Sequence, residues 1–431
     1  MKQLTFTLLG CFLLAFAMGQ TFQNIQIDGG SGGGYQPCEP SIAIGINDPS
    51  IMVAGSILNN VYLSEDSGRT WKKDQLESRY GVYGDPCIVA SPKGGFYYLH
   101  LSDPDGKGWS SIKLLDRIVC QYSKDGENWS KGGGIGLNGS KDQDKEWAIT
   151  SLDGKKVYST WTQFDKYSSK EEGDSTLILF SCSKHGGSKW SEPKRISALA
   201  GDCLDDDETV EGAVPAVGPG DEIYVSWALN DKIYFDRSFD QGKTWLDQDL
   251  VAATISGGWA HDIPGIMRAN GMPVTVCDQS EGEHRGRIYI NWADQSNGTD
   301  DTDVWLVYSD DHGNTWSDPI RVNQDNTKSQ QFFTWMDIDQ STGMLAVVYY
   351  DRSNYDDLQT DVVLSTSWDG GETWNSEVIS ESPFIPTSQV FFGDYNNISA
   401  HDGLIRPIWT RCDNGKLSVW TALVNAVDMR P

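Results

Sequence analysis

Ser309-Asp-Asp311-His-Gly313-Asn-Thr315-Trp316 is an octapeptide that the chain repeats. It recurs as Ser64-Glu-Asp66-Ser-Gly68-Arg-Thr70-Trp71, as Ser238-Phe-Asp240-Gln-Gly242-Lys-Thr244-Trp245 and as Ser367-Trp-Asp369-Gly-Gly371-Glu-Thr373-Trp374. A shortened copy stands at Ser123-Lys-Asp125-Gly-Glu-Asn-Trp129. A decayed one runs from Ser183 to Trp190, with His185 in place of the aspartate. Neighbouring copies lie 55 to 71 residues apart, the period of a repeat architecture. Each follows a strand pattern such as Asp303–Ser309 and precedes another such as Pro319–Asn323, so each reads as a hairpin turn. Its serine and aspartate suit turn amides, its glycine a positive φ, and its tryptophan the apolar layer.

A second periodicity counts the units. Seven segments place an acidic or aromatic residue at the head of a short apolar strand. They are Glu39-Pro-Ser-Ile-Ala-Ile, Asp85-Pro-Cys-Ile-Val-Ala, Glu146-Trp-Ala-Ile, Val214-Pro-Ala-Val, Asp262-Ile-Pro-Gly-Ile, Thr334-Trp-Met-Asp-Ile and Asp394-Tyr-Asn-Asn-Ile. The expected fold is all-β: one propeller of seven four-stranded antiparallel blades, with six as the alternative count. The last unit lacks its own outer strand, and Phe22–Asp28 is expected to supply it and close the ring, which removes free sheet edges.

The repeated turn is the Asp-box, and its run along the chain resembles that of the sialidase and BNR-repeat superfamily of β-propellers. That resemblance implies a secreted, glycosidase-like enzyme acting on a glycan or glycoconjugate. In a sialidase a tyrosine nucleophile is activated by a glutamate, an aspartic acid donates the proton, and three arginines clamp the substrate carboxylate. Carried over, Tyr395 matches the nucleophile, Asp85 the acid/base, Glu146 or Glu211 the tyrosine's partner, and Arg352 and Arg411 two clamp arginines. The third clamp position is Cys38-Glu39-Pro40 instead of Arg-Ile-Pro, and sialidase catalytic domains have six blades. A neutral-sugar hydrolase or lyase using Asp and Glu alone fits that charge better. A non-catalytic propeller that binds glycans or protein partners is the alternative.

Strand direction separates two faces. Asp-boxes join third to fourth strands, so the heads of the innermost strands lie on the opposite face, where propellers hold ligands. That face should gather Asp85, Glu146, Glu211, Asp262, Asp394 and Tyr395 as candidate catalytic residues. Glu39, Asp144, Trp259, Trp335, Arg352 and Arg411 are the substrate-binding candidates. Paired carboxyls beside aromatic rings suit glycoside hydrolysis, one acid protonating the leaving oxygen while the other is nucleophile or base.

Composition supports one large β-domain: 45 glycines, 17 tryptophans and 17 tyrosines suit turns and aromatic strands. A net charge of −27 disfavours nucleic acid and anionic membranes. Lys2 and the apolar run Leu8–Ala17 read as an export signal over residues 1–20, too short to span a bilayer, followed by the propeller over 21–431. Leu8-Leu9-Gly10-Cys11 has lipobox residue types, but the apolar run continues past Cys11. A monomer without membrane insertion is expected. Seven cysteines follow Cys11 with no C-x-x-C pair, which argues against zinc and leaves one or two disulfides open. No cofactor is required. Calcium is possible in the acidic loops 294–303, 351–361 and 202–208, though none has EF-hand spacing.

Overall fold

The computed structural model describes residues 22–30 and 36–430. Seven four-stranded antiparallel sheets stand around one axis. Their innermost strands are Ser41–Ile44, Cys87–Ala90, Asp142–Thr150, Glu211–Val217, Val274–Cys277, Gln331–Asp339 and Asn397–His401. Each of these packs on the next, and the last returns to the first, so the ring is closed. Second strands such as Phe96–Leu101, Ile223–Leu229 and Met344–Asp351 are buried along their whole length. Covered on both faces by neighbouring blades, they read as continuous apolar and aromatic runs.

Blades one to six run from axis to rim in chain order. Blade seven takes its rim strand from the other end of the chain: Gln23–Asp28 pairs antiparallel with Lys416–Asn425, Gln23 opposite Leu423. Asn24 ties this strand to blade six, its Nδ2 donating to the Ile379 carbonyl at 2.7 Å. Asp28 ties it to blade one, accepting from the Tyr62 hydroxyl at 2.7 Å and from Lys73 at 2.6 Å. The expected closure is therefore present, and the six-bladed alternative is excluded.

The Asp-boxes all close the turn between third and fourth strands. At Ser309, the hydroxyl accepts from the Gly313 amide at 2.8 Å and donates to Asp311 at 2.8 Å. Asp311 in turn accepts from the Thr315 amide at 2.9 Å and hydroxyl at 2.7 Å. Gly313 has φ +85°, and a Cβ there would sit 2.2 Å from the Phe235 ring of the preceding blade. The decayed copy keeps the Ser183-to-Gly187 bond at 3.0 Å without its aspartate.

Two readings are corrected. Asp262 does not head the innermost strand of blade five, which begins at Val274. It lies instead in an insertion that forms a two-stranded hairpin, Ala260–His261 against Ala269–Asn270. Its Ile-Pro run packs into the core (Ile263 and Ile266 are buried) and so imitates a strand. All seven cysteines in the described residues are free. The export segment expected at 1–20 lies outside the described residues, and among those described no helix is long and apolar enough to cross a membrane.

At the head of the innermost strand the same irregularity recurs in five blades. Glu39, Asp85, Lys145, Gly212 and Phe333 have φ of +52°, +49°, +54°, +77° and +49°. Each stands two residues before Ser41, Cys87, Trp147, Val214 or Trp335, which line the axial channel. In blades three, four and six the pairing register slips at this point, as a bulge does. Four of these residues are not glycine, a strain of about 1–3 kcal/mol each that marks functional positions more than ordinary strand ends.

Candidate functional site

The bulges turn charged side chains onto the axis at the face opposite the Asp-boxes. Lys145 is buried there and its ammonium lies 2.6 Å from Asp394 Oδ2. Arg268, carried by the inserted hairpin, grips the same carboxylate from the other side, Nε to Oδ1 at 2.8 Å and Nη2 to Oδ2. Its Nη1 reaches Asp205 at 2.8 Å, and Asp205 also accepts from the Tyr167 hydroxyl. Burial pulls the Asp394 carboxyl up, but the two cations overrule it and hold it at about 2. Asp394 is thus a fixed negative charge.

The other acids are held the opposite way. Burial and then Asp85 push the Asp144 carboxyl up to about 8, and the same two causes push Glu146 well above the usual range. Neither oxygen of Glu146 has a hydrogen-bond donor. Glu211, fully buried, faces the Asp205 carboxylate and keeps its proton there, with burial the first cause and Asp205 the next. Glu39 is raised by burial and by Asp85 and Asp394, while its Oε1 accepts from the Asp394 amide at 3.1 Å. Asp85 is raised by burial too, and it alone among these strand-head acids is half-buried where the others are fully buried. Five blades thus bring carboxyls in opposite charge states to one channel mouth.

Below the carboxyls the channel is plugged. Trp147 and Trp335 meet at 4.4 Å between ring centroids, and Tyr395 packs on them at 5.1 and 6.1 Å. The far side of this plug is a funnel of about 480 Å³, lined largely by apolar side chains such as Ile42, Ile88, Ile149 and Ile338, which opens on the Asp-box face. The plug gives the charged mouth a dry floor, where electrostatic interactions are strengthened. Burial and the nearby Asp85 push the Tyr395 hydroxyl far above its ordinary value, the reverse of what a phenolate nucleophile needs.

The expected ring therefore assembles in part. Glu39, Asp85, Asp144, Glu146, Glu211 and Asp394 share the mouth, with Tyr395 and Trp335 in its floor. Trp259 is buried and packs over Gly212, where a Cβ would meet its ring at 2.8 Å. Asp262 is exposed on the inserted hairpin and joins none of these contacts. The two clamp arginines are elsewhere. Arg352 donates to the Pro264 carbonyl at 2.8 Å and Thr360 at 3.0 Å, and so pins the insertion to blade six. Arg411 is spent on Asp413 at 2.6 Å and the Ser382 carbonyl at 2.7 Å. In the acidic loops, Asp294 accepts from the Ser296 amide and the Trp292 indole, both at 2.9 Å, while Asp205 is taken by Arg268 and Tyr167. Among the described residues no three side chains converge as metal ligands.

Four members of the site have no place in the residue-type pattern: Lys145, Tyr167, Asp205 and Arg268. Lys145 had a signal, as the single base between Asp144 and Glu146. Asp205 stood in an acidic run that suggested calcium. Nothing local marks Arg268, because the insertion that carries it has no counterpart in the repeat.

The profile of the BNR repeat-like domain matches residues 155–389, more than half of the chain. The chain belongs to that family. The BNR repeat-like match covers Asp205, Glu211 and Arg268 but leaves Glu39, Asp85, Asp144, Lys145, Glu146 and Asp394 outside. Among solved structures, an ulvan lyase bound to a GlcA(1-4)Rha3S saccharide is 14% identical with a TM-score of 0.54, over 94% of this chain and 96% of that one. The NanB sialidase of Streptococcus pneumoniae is 10% identical with a TM-score of 0.53, over 88% and 84%. A Dyadobacter fermentans protein of unknown function is 12% identical with a TM-score of 0.50, over 79% and 93%. At these identities the likeness of the BNR repeat-like chain to each is one of fold.

Proposed function

We propose that the chain is an exported glycan-processing enzyme whose chemistry is done by the carboxyls at the channel mouth opposite the Asp-boxes. One observation carries the reading: the Asp144 carboxyl is pushed up to about 8 by burial and by the charge of Asp85, the one acid of the ring that is only half-buried. A carboxyl raised in this way keeps the proton an acid must give, and the more accessible Asp85 is placed to act as its partner. In this reading Asp144 protonates the leaving glycosidic oxygen, and Asp85 serves as base or nucleophile.

The substrate is a neutral sugar. Lys145 and Arg268 are already engaged by Asp394 and Asp205, so among the described residues no free cation remains in the cluster to clamp a substrate carboxylate. This separates the site from the sialidase pattern, as does the protonated, buried Tyr395. The ulvan lyase and sialidase whose folds it shares act on glycans by their names, and that supports glycan as the substrate class.

A second reading has its own observation. The cavity beside Lys145, Asp205, Arg268 and Asp394 holds only about 40 Å³, too little for a sugar unless the inserted hairpin shifts. That favours a propeller that binds glycans without cleaving them. Incubation with neutral and uronate-containing polysaccharides, read by new reducing ends and by absorbance of unsaturated products, decides between the two. Hydrolysis of a neutral glycan, with kcat/KM falling above about pH 8 as Asp144 loses its proton, is the expected result. Binding without any cleavage by the wild type would overturn the catalytic reading.

A further inference from the structure

The rim beside the carboxyl cluster carries an indole that the cluster does not use. Trp109 is 63% exposed, and among the described residues it is the one tryptophan among the exposed large apolar side chains. It stands on the loop between the second and third strands of blade two, on the same face as the acids. The loop is held in place. Asp103 accepts from the Lys107 amide at 3.2 Å and from the Gly108 amide at 2.9 Å, and Gly108 takes φ +51° against the Tyr83 ring. Tyr83 meets the Trp109 ring edge-on at 6.2 Å, and Tyr167 lies against it at 5.4 Å with 38° between planes.

Tyr167 connects the platform to the chemistry. Its hydroxyl bonds Asp205, which also binds Arg268 and faces Glu211. One phenol ring therefore separates an exposed indole from the cluster. Water gains nothing from such a surface, whereas the apolar C–H face of a pyranose or furanose ring covers it well.

We infer that Trp109, backed by Tyr167 and braced by Tyr83, is a sugar-stacking subsite on the rim beside the carboxyl mouth, so that the protein takes extended chains of neutral sugar. The inference rests on the reading that the carboxyl mouth meets a glycan. It assigns to Trp109 a part in binding, and none in proton transfer. Asp103 is a positioning residue for the Trp109 loop.

The test uses the whole protein in native gels cast with arabinan, xylan, galactomannan or mixed-linkage β-glucan. Wild type is run beside Trp109→Ala, Trp109→Phe, Ser309→Ala and Asp144→Asn, with folding checked by thermal melting. The expected result is retardation of the wild type by at least one polysaccharide. Trp109→Ala should weaken it roughly tenfold, Trp109→Phe should retain most of it, and Ser309→Ala, on the opposite face, should match wild type. The bound polysaccharide should also shield the wild-type protein, but not Trp109→Ala, from iodide quenching of tryptophan fluorescence. Equal retardation of Trp109→Ala and wild type, or no retardation of wild type in any gel, would overturn the subsite. Retardation that depends on Trp109, in a protein that cleaves none of these glycans, would leave the subsite standing and remove the catalytic reading. Cleavage lost in Asp144→Asn, with binding indifferent to Trp109, would do the reverse.

Discussion

At the scale of single residues, the charges at the channel mouth are the feature with consequences for pH. The Asp144 carboxyl is held at about 8, above the ordinary value near 3.9 of an unfolded chain. A group raised in this way adds stability below its unfolded pKa, and that contribution is lost as pH rises through the folded one. Urea unfolding should therefore show a decline in stability between about pH 4 and pH 8 that flattens in Asp144→Asn. Asp394 has the opposite sign. Its depressed carboxyl stabilises the fold above about pH 4, and that contribution fades as pH falls toward 2. Lys145→Met should cost about 3 kcal/mol in the same titration at pH 7, because it leaves a buried carboxylate with Arg268 alone. An unchanged unfolding midpoint would show that Lys145 does not balance Asp394.

At the scale of elements, the Asp-box is structural and should behave so. Ser309→Ala removes the acceptor of the Gly313 amide and a donor to Asp311, and should cost about 1–2 kcal/mol of unfolding free energy. Turnover at the other face should not change. The octapeptide made these turns legible from sequence because each of its residues has a local partner. Ser309, Asp311, Gly313 and Thr315 bond to one another within a single turn, so the pattern and the geometry coincide. The strand heads were legible by a different signal, an acid two residues before a short apolar strand, as at Glu39 and Asp85. Asp262 misled because a buried Ile-Pro run in an insertion has the composition of a strand head. Lys145, Asp205 and Arg268 were not legible as one group. They meet only after blades three, four and seven close around the axis, and no local pattern encodes a contact between residues 145 and 394.

At the scale of the whole molecule, the ring is closed by a strand from the far end of the chain. Cooperativity therefore depends on Gln23–Asp28. Ile25→Pro, opposite Thr421, should break this pairing and lower stability by about 2–3 kcal/mol, seen as a lower melting temperature. Because Glu39 and Asp394 come from blades one and seven, the same substitution should reduce function as well as stability. A variant that melted earlier but kept full turnover would show that closure does not tune the mouth. The two faces also divide the labour. The Asp-box face carries turns and an apolar funnel, and the aromatic plug of Trp147, Trp335 and Tyr395 isolates it from the charged mouth.

The channel mouth is proposed to be catalytic toward a neutral glycan. Its most direct test is the initial rate of reducing-end release from the polysaccharide the wild type cleaves, compared across Asp144→Asn, Asp85→Asn and Ser309→Ala. Each carboxyl variant should lose at least about 100-fold, and the Asp-box variant should keep a rate near wild type. Wild-type rates in Asp144→Asn and Asp85→Asn, with the glycan still cleaved, would contradict the proposal.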